Sequence, residues 1–441
     1  TVTERNYVAK ATRRRRKILL CRVLSYIIRS MTRTGYPRRS FMKTLLKKLL
    51  VFIAVIFIIQ IHRSRRKEKA VSWPAYIKKL LGLEAGNASR RQDIDQLRFL
   101  ATILVIMVHS MQSGAQTLLS LSGGAKTGLW YVLTASAGLA LCCNLLFLMI
   151  SGALTLTWKE ENTASFYWKR FLKIVVPLAA YYLFYLRVFG LLPITIPSLL
   201  NAARTILAGP TDIVPHFWLI YVLIGLYIAV PFLRWMFHQL PESSLKTMAV
   251  VILSGMAIKT ILTFFGLGLG IGSFFFSWEG IFLLGYLFSQ PWCEKYQKGF
   301  LTAGCFCALA IVFIHCTRSD ADLLAANLSI LMVLFTLAVF LFFQRCSICS
   351  GHNPILRLIN RYSYSILLVH WYVLFVLVEE RLHISPMMFG GSCFLLGTLL
   401  QSAAALAFSL LLAILFDNTV VTLITWALEQ MQKAIRAFIK K

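Results

Sequence analysis

One arginine and one histidine set the chemical question. Arg98 and His109 lie eleven residues apart inside an apolar stretch that begins near Asp93. Eleven helical steps of about 100° bring two side chains to within about 20° of one face and separate them by roughly 16 Å along the axis. One end of that face carries a permanently charged planar fork, suited to a phosphate group. The other carries an imidazole near a membrane midplane, suited to proton transfer at neutral pH. A single ligand touching both would be an anionic carrier with a long flexible arm. Each residue also has a plainer reading. Arg98 could snorkel to the headgroups as an anchor, and His109 could serve only as a helix–helix hydrogen bond.

The elements that must position this pair are membrane helices. The chain has 441 residues, 58% of them hydrophobic and 14% charged, with a mean hydropathy of +0.71. Soluble domains carry about 25% charged residues. The apolar residues come in blocks of about 20, the length a helix needs to cross the hydrocarbon core. This excludes a soluble enzyme, a secreted disulfide scaffold and a disordered chain, and the blocks are too long for the alternating strands of a β-barrel. The expected fold is all-α and polytopic. Ten spans are expected, near 97–113, 131–156, 171–190, 216–233, 246–266, 273–289, 300–316, 326–343, 361–379 and 393–416. If the first is entered from the cytoplasm, the inner segments and tail gather fifteen basic residues between Lys159 and Lys441. The outer loops then hold only Lys126, Arg204, Arg318 and Arg381, which is the positive-inside pattern of a plasma membrane protein. The outer loop 191–215 holds Pro193, Pro197, Pro210 and Pro215 and reads as a structured cap rather than a helix.

The net charge of +29 is concentrated: about half of the 46 basic residues lie in the first 91 positions. Residues 1–92 read as a basic, partly amphipathic extension, with a possible short anchor at 44–61, and Met31 or Met42 is a candidate start. The run Arg13–Lys17 and the cluster Arg63, Arg65, Arg66, Lys67, Lys69 suit anionic lipid headgroups. Aromatic residues do not interleave with them, so nucleic acid is not an expected partner. The domain proper is expected over 93–416, and 417–441 is expected to be an amphipathic surface tail. Cys346, Cys349 and His352 form half of a zinc-like spacing without a second ligand pair, so a metal is not expected.

The stretch from Asp93 through Arg98 to His109 resembles the opening of the acyltransferase-3 family of integral-membrane acyltransferases. Further stretches resemble its motifs in order: Phe147–Leu154 with Ser151 and Gly152, then Tyr167–Pro177 with Lys169, Arg170 and Lys173. His216–Tyr227 with Trp218 and Pro231 follows, then Gly285-Tyr286 and Ser363–His370. The resemblance covers about 93–416, and its wording is nearest the branch that acetylates cell-envelope glycans such as enterobacterial common antigen. The branch that carries a fused extracytoplasmic esterase-like or racemase domain is not the one expected. Where the family often has two Arg three residues apart, this chain has Arg170 and Lys173, which keeps the charge but loses one bidentate fork.

The resemblance implies transfer of an acyl group, most simply acetyl, from cytoplasmic acyl-CoA to a hydroxyl of an envelope or lipid-linked glycan. Acyl-CoA is then a co-substrate, and no tightly bound cofactor is implied. Arg98 with Lys169, Arg170 and Lys173 would hold the CoA phosphates, and His109 would be the general base. His216, Trp218, Glu279, Ser363 and His370 are the candidate acceptor-side residues, although Glu279 could simply pair with Lys259 and His370 with a neighbouring helix. The same Arg and His would also fit a transporter or flippase of anionic lipid-linked glycans, and a membrane scaffold would need neither.

Overall fold

The computed structural model describes Lys78 and residues 91–439, apart from 192–194, 269–273, 318–324, 346–352 and 391–392. The chain divides into two units, Thr1–His62 and Arg63–Lys441, and the description concerns the second. The expected N-terminal anchor and the Cys346/Cys349/His352 spacing lie outside the described residues.

Among the described residues every regular element is helical. In chain order they are α1 (Gln92–Leu121), α2 (Gly128–Ala140), α3 (Cys142–Thr155), α4 (Thr163–Arg170), α5 (Val176–Val188), α6 (Ile196–Ala208) and α7 (Trp218–Gln239). There follow α8 (Glu242–Phe264), α9 (Trp278–Leu287), α10 (Gln297–Thr317), α11 (Ile330–Arg345), α12 (Pro354–Tyr372), α13 (Phe394–Phe416) and α14 (Thr422–Ile439). Three π-helical stretches, Phe171–Val175, Val373–Arg381 and Asp417–Val421, join α4 to α5, prolong α12 and join α13 to α14. Local chemistry sets several starts. Asn162 caps α4 by accepting from the amides of Ala164 and Ser165, and Asn353 caps α12 from Ile355 and Leu356 with Pro354 at the first turn.

Among the described residues eight helical segments are long and apolar enough to cross a membrane. Large apolar side chains stand exposed along them, as Ile228, Phe232 and Trp235 do on α7, a pattern that lipid rather than water satisfies. The chain is a multi-pass helical membrane protein. Two of the expected spans are shorter helices. The stretch 273–289 becomes the ten-residue α9, about 15 Å long, and 326–343 becomes the sixteen-residue α11. The outer loop 191–215 differs from expectation, because it contains the thirteen-residue α6. Pro197 sits in its first turn, where no backbone donor is needed, so the prolines bound this helix rather than prevent it. Residues from 417 follow α13 through the π-turn into α14.

α1 is the central helix, packed against α2, α3, α11, α12 and α13. α9 is buried from Gly280 to Leu287 and crosses α3 at a distance only glycine allows. A Cβ on Gly152 would stand 1.8 Å from the Phe282 carbonyl oxygen, and one on Gly285 would stand 2.0 Å from that of Met149. The two glycines thus let each helix's backbone touch the other, the small-residue contact by which membrane helices approach closely. Substituting Ala for either glycine should destabilise the protein by about 1–3 kcal/mol or more, whereas Gly299→Ala, with open space around it, should not. Thermal unfolding midpoints in detergent check this, and equal midpoints for all three variants would refute the crossing.

Candidate active site

α1 presents His109 toward α12, where it meets two more histidines. The His109 and His370 rings stack with centroids 5.3 Å apart, and His216 meets His370 edge-on at 4.9 Å. The Trp371 indole closes the group, 5.0 Å from His109 and 5.7 Å from His216. The sequence predicted each histidine separately, and the fold brings all three together. His216 arrives on the 3-10 turn Pro215–Phe217 that starts α7.

Hydrogen bonds fix which nitrogen of two rings carries the proton. His370 Nδ1 lies 2.8 Å from the Leu367 carbonyl, and His216 Nε2 lies 3.0 Å from the Leu368 carbonyl. A carbonyl only accepts, so both nitrogens donate. His370 Nε2 and His216 Nδ1 are buried and have no hydrogen-bond partner among the described residues. In neutral rings these atoms carry the lone pairs. His370 is fully buried and His216 nearly so. His109 is only half-buried. Of the three imidazoles it is the most open to a ligand.

Tyr185 of α5 supports this arrangement. Its hydroxyl donates to the Leu368 carbonyl at 3.2 Å and accepts from the Tyr372 amide at 3.0 Å. It thereby bridges the i, i+4 pair that an α-helix joins directly, immediately before the π segment Val373–Arg381.

The basic candidates occupy different surroundings. Arg98 lies near the start of α1 with its Nη1 3.5 Å from Asp95 Oδ1, and the Asn360 amide of α12 donates to the Asp95 carbonyl at 2.7 Å. Lys169 is paired with Glu161 at 2.7 Å. Arg170 lies over the rings of Phe166 and Tyr227, and Lys173 is exposed on the first π-turn. Sequence reasoning missed Arg234, which is buried, donates twice to the Thr155 carbonyl and reaches Glu161 at 3.6 Å. It joins the end of α3, the 156–162 connection and α7. The hydrogen bond from Lys169, reinforced by the Arg234 charge, holds the Glu161 carboxyl below its ordinary range.

The other acceptor-side candidates do not join the histidines. Trp218 packs on Trp278 at 4.7 Å, and Glu279 lines a groove of about 290 Å³ between α7 and α9 with Tyr221, Gly225, Ala229 and Phe282. The alternative Glu279–Lys259 pair is not formed. Glu279 accepts from Ser277, and Lys259 donates to the Phe276 carbonyl. The Ser363 hydroxyl donates to its own helix at Asn360. Ser151 is hydrogen-bonded to Tyr227 at 2.6 Å. Asp417 was also missed: it accepts from Tyr181 at 3.0 Å and Ser365 at 2.5 Å, tying α5 and α12 to the α13–α14 turn.

Comparison with family models gives one match, described as an acyltransferase domain, over residues 91–417. It starts at the first described residue of α1's cap and ends at the π-turn after α13. The comparisons with curated proteins and with solved structures return no match.

Two outcomes follow from these contacts. Tyr185→Phe removes the bridge at Leu368 and Tyr372 and should cost about 1–3 kcal/mol, the penalty for an unsatisfied buried backbone group; an unchanged unfolding midpoint would refute the bridge. Glu161 has a lowered carboxyl pKa in the folded chain, so its contribution is present above the unfolded Glu value of about 4.3 and is lost as pH falls through the folded value. The acid-side fall in stability should therefore shrink in Glu161→Gln, as read from unfolding midpoints across that range.

Proposed function

The chain belongs to the acyltransferase-3 family, and from that premise we propose that it moves an acetyl group from cytoplasmic acetyl-CoA to a hydroxyl of an envelope or lipid-linked glycan. The observation that carries this reading is the half-buried His109 set against His370 and Trp371 within the bundle. His109 takes the proton of the acceptor hydroxyl as its oxygen attacks the thioester carbonyl. The carbon–sulfur bond then breaks, and the proton passes to the departing CoA thiolate. General-base help of this kind is worth typically 10²–10⁴-fold.

Arg98, Arg170 and Lys173 contact the CoA phosphates in this reading, and Lys169 holds the adjoining connection through Glu161. The pantetheine arm spans the roughly 16 Å from Arg98 to His109. His216 and His370, tied to consecutive carbonyls of α12, are held in place beside His109 and position it rather than exchanging protons with substrate. The first span is entered from the cytoplasmic face of a bacterial plasma membrane, as the basic inner segments favour. The basic extension rests on anionic lipids.

The test is purified full-length protein in detergent with labelled acetyl-CoA and an envelope glycan extract. Acceptor-dependent movement of label into glycan is expected, and glycan movement across vesicles without loss of acetyl-CoA would favour a transporter instead. His109→Ala should remove most transfer, by roughly 10²–10⁴-fold, while binding of acetyl-CoA persists. Arg98→Ala should weaken that binding, and Arg98→Lys should restore only part of it, since a point charge replaces a fork. Equal affinity in all three proteins would reduce Arg98 to an anchor.

A further inference from the structure

The face of α1 that carries His109 continues to Ser113, one turn and about 6 Å further from Arg98. There the Ser113 hydroxyl donates to Glu379 Oε2 at 3.4 Å. The Gln401 side-chain amide donates to the same oxygen at 3.1 Å. α1, the π segment after α12 and α13 therefore converge on one carboxylate. Both bonds end on Oε2, and Glu379 Oε1 has no hydrogen-bond partner among the described residues. Gln401 is fully buried, and its Oε1 also has no partner among the described residues. A carboxylate within a membrane bundle is expensive to keep. A glutamine would hold Ser113 and Gln401 equally well through its own carbonyl, so helix packing alone does not require the charge.

Two unused acceptor oxygens, on side chains gathered at Glu379, which Ser113 meets one turn along α1 from His109, call for a ligand that donates hydrogen bonds at two points. An anionic group would be repelled by Glu379. A sugar ring fits: one hydroxyl can stand at His109 while its neighbour on the ring donates to the carboxylate. Resting on the acyltransferase reading above, we propose that Glu379, held by Ser113 and Gln401, is the acceptor-binding residue that grips a ring hydroxyl next to the one acylated. It orients the neutral polyol end of the acceptor and so selects which hydroxyl faces the thioester.

Two measurements test this on the full chain in detergent. In the first, the unmodified protein is treated with dicyclohexylcarbodiimide, which labels carboxyls in apolar surroundings, and labelling of Glu379 is read by mass spectrometry. The envelope glycan fraction should protect Glu379, and acetyl-CoA alone should not. In the second, Glu379→Gln keeps the bonds from Ser113 and Gln401 but replaces the free acceptor with an amide donor. Its KM for the glycan should rise roughly tenfold or more, the loss expected for a hydrogen bond to a charged group, with its KM for acetyl-CoA unchanged. Full labelling in the presence of glycan, protection by acetyl-CoA alone, or an equal rise in both KM values would overturn the proposal. If the unmodified protein transfers no label to glycan, the acyl-transfer reading falls. The carbodiimide result then decides the glycan contact by itself: protection upholds it, and full labelling removes it.

Discussion

The carbonyl of Leu368 is the point on which the site depends. It accepts from Tyr185 and from His216, while Tyr185 also takes the Tyr372 amide that an α-helix would have given to Leu368. One tyrosine hydroxyl thus touches both ends of one rung of α12. The carbonyl also meets a histidine from another helix, and the chain beyond Tyr372 winds as a π segment. Side chains inserted into a helical ladder are a recognised cause of such irregularity, and π-bulges recur at functional sites. Here the consequence is concrete. The carbonyl that Tyr185 meets also holds His216, and with it the edge-on pairing with His370.

The bundle around this point is built for close approach. Gly152 and Gly285 bring α3 and α9 backbone to backbone, and α3 in turn lies against α1. In lipid there is little hydrophobic drive for helices to associate, so contact area and small residues have to supply it. This explains why the short α9 is stable although it measures only about 15 Å. It lies against protein on its buried side, with Gly280 through Leu287 all withdrawn from the surface.

Much of this was legible in the sequence because membrane helices announce themselves by length and composition. The all-helical class and the position of α1 followed from apolar blocks, and His109 and His370 stood out where polar residues interrupt them, whereas His216 was singled out by the family resemblance. Boundaries were less legible. Pro197 reads as a breaker but opens α6, since proline is harmful inside a helix and harmless in its first turn. Pairings were hardest. Glu279 and Lys259 are opposite charges at plausible depth, yet each satisfies itself within its own neighbourhood. Arg234, Asp417, Glu379 and Tyr185 gave no signal, because each acquires its role from a partner distant in sequence: Thr155, Tyr181, Ser113 and Leu368 respectively.

The helix α1 acts as a ruler for the chemistry assigned to it. Arg98, His109 and Ser113 fall on nearly one face over fifteen residues, about 22 Å, which is most of a bilayer's hydrocarbon thickness. A charged group is cheap only near the ends of such a helix, and a neutral imidazole is tolerable near its middle. The order along the face is therefore set by solvation before any catalytic demand is made. In the proposed reaction a phosphate-bearing donor is anchored where Arg98 can stay hydrated, and its thioester reaches His109 through a flexible arm. The proposed acceptor then approaches from the opposite end, where Glu379 meets Ser113. On that proposal two substrates of unlike polarity keep to separate approaches and meet at His109, so the bilayer that makes each charged residue costly would also sort the substrates.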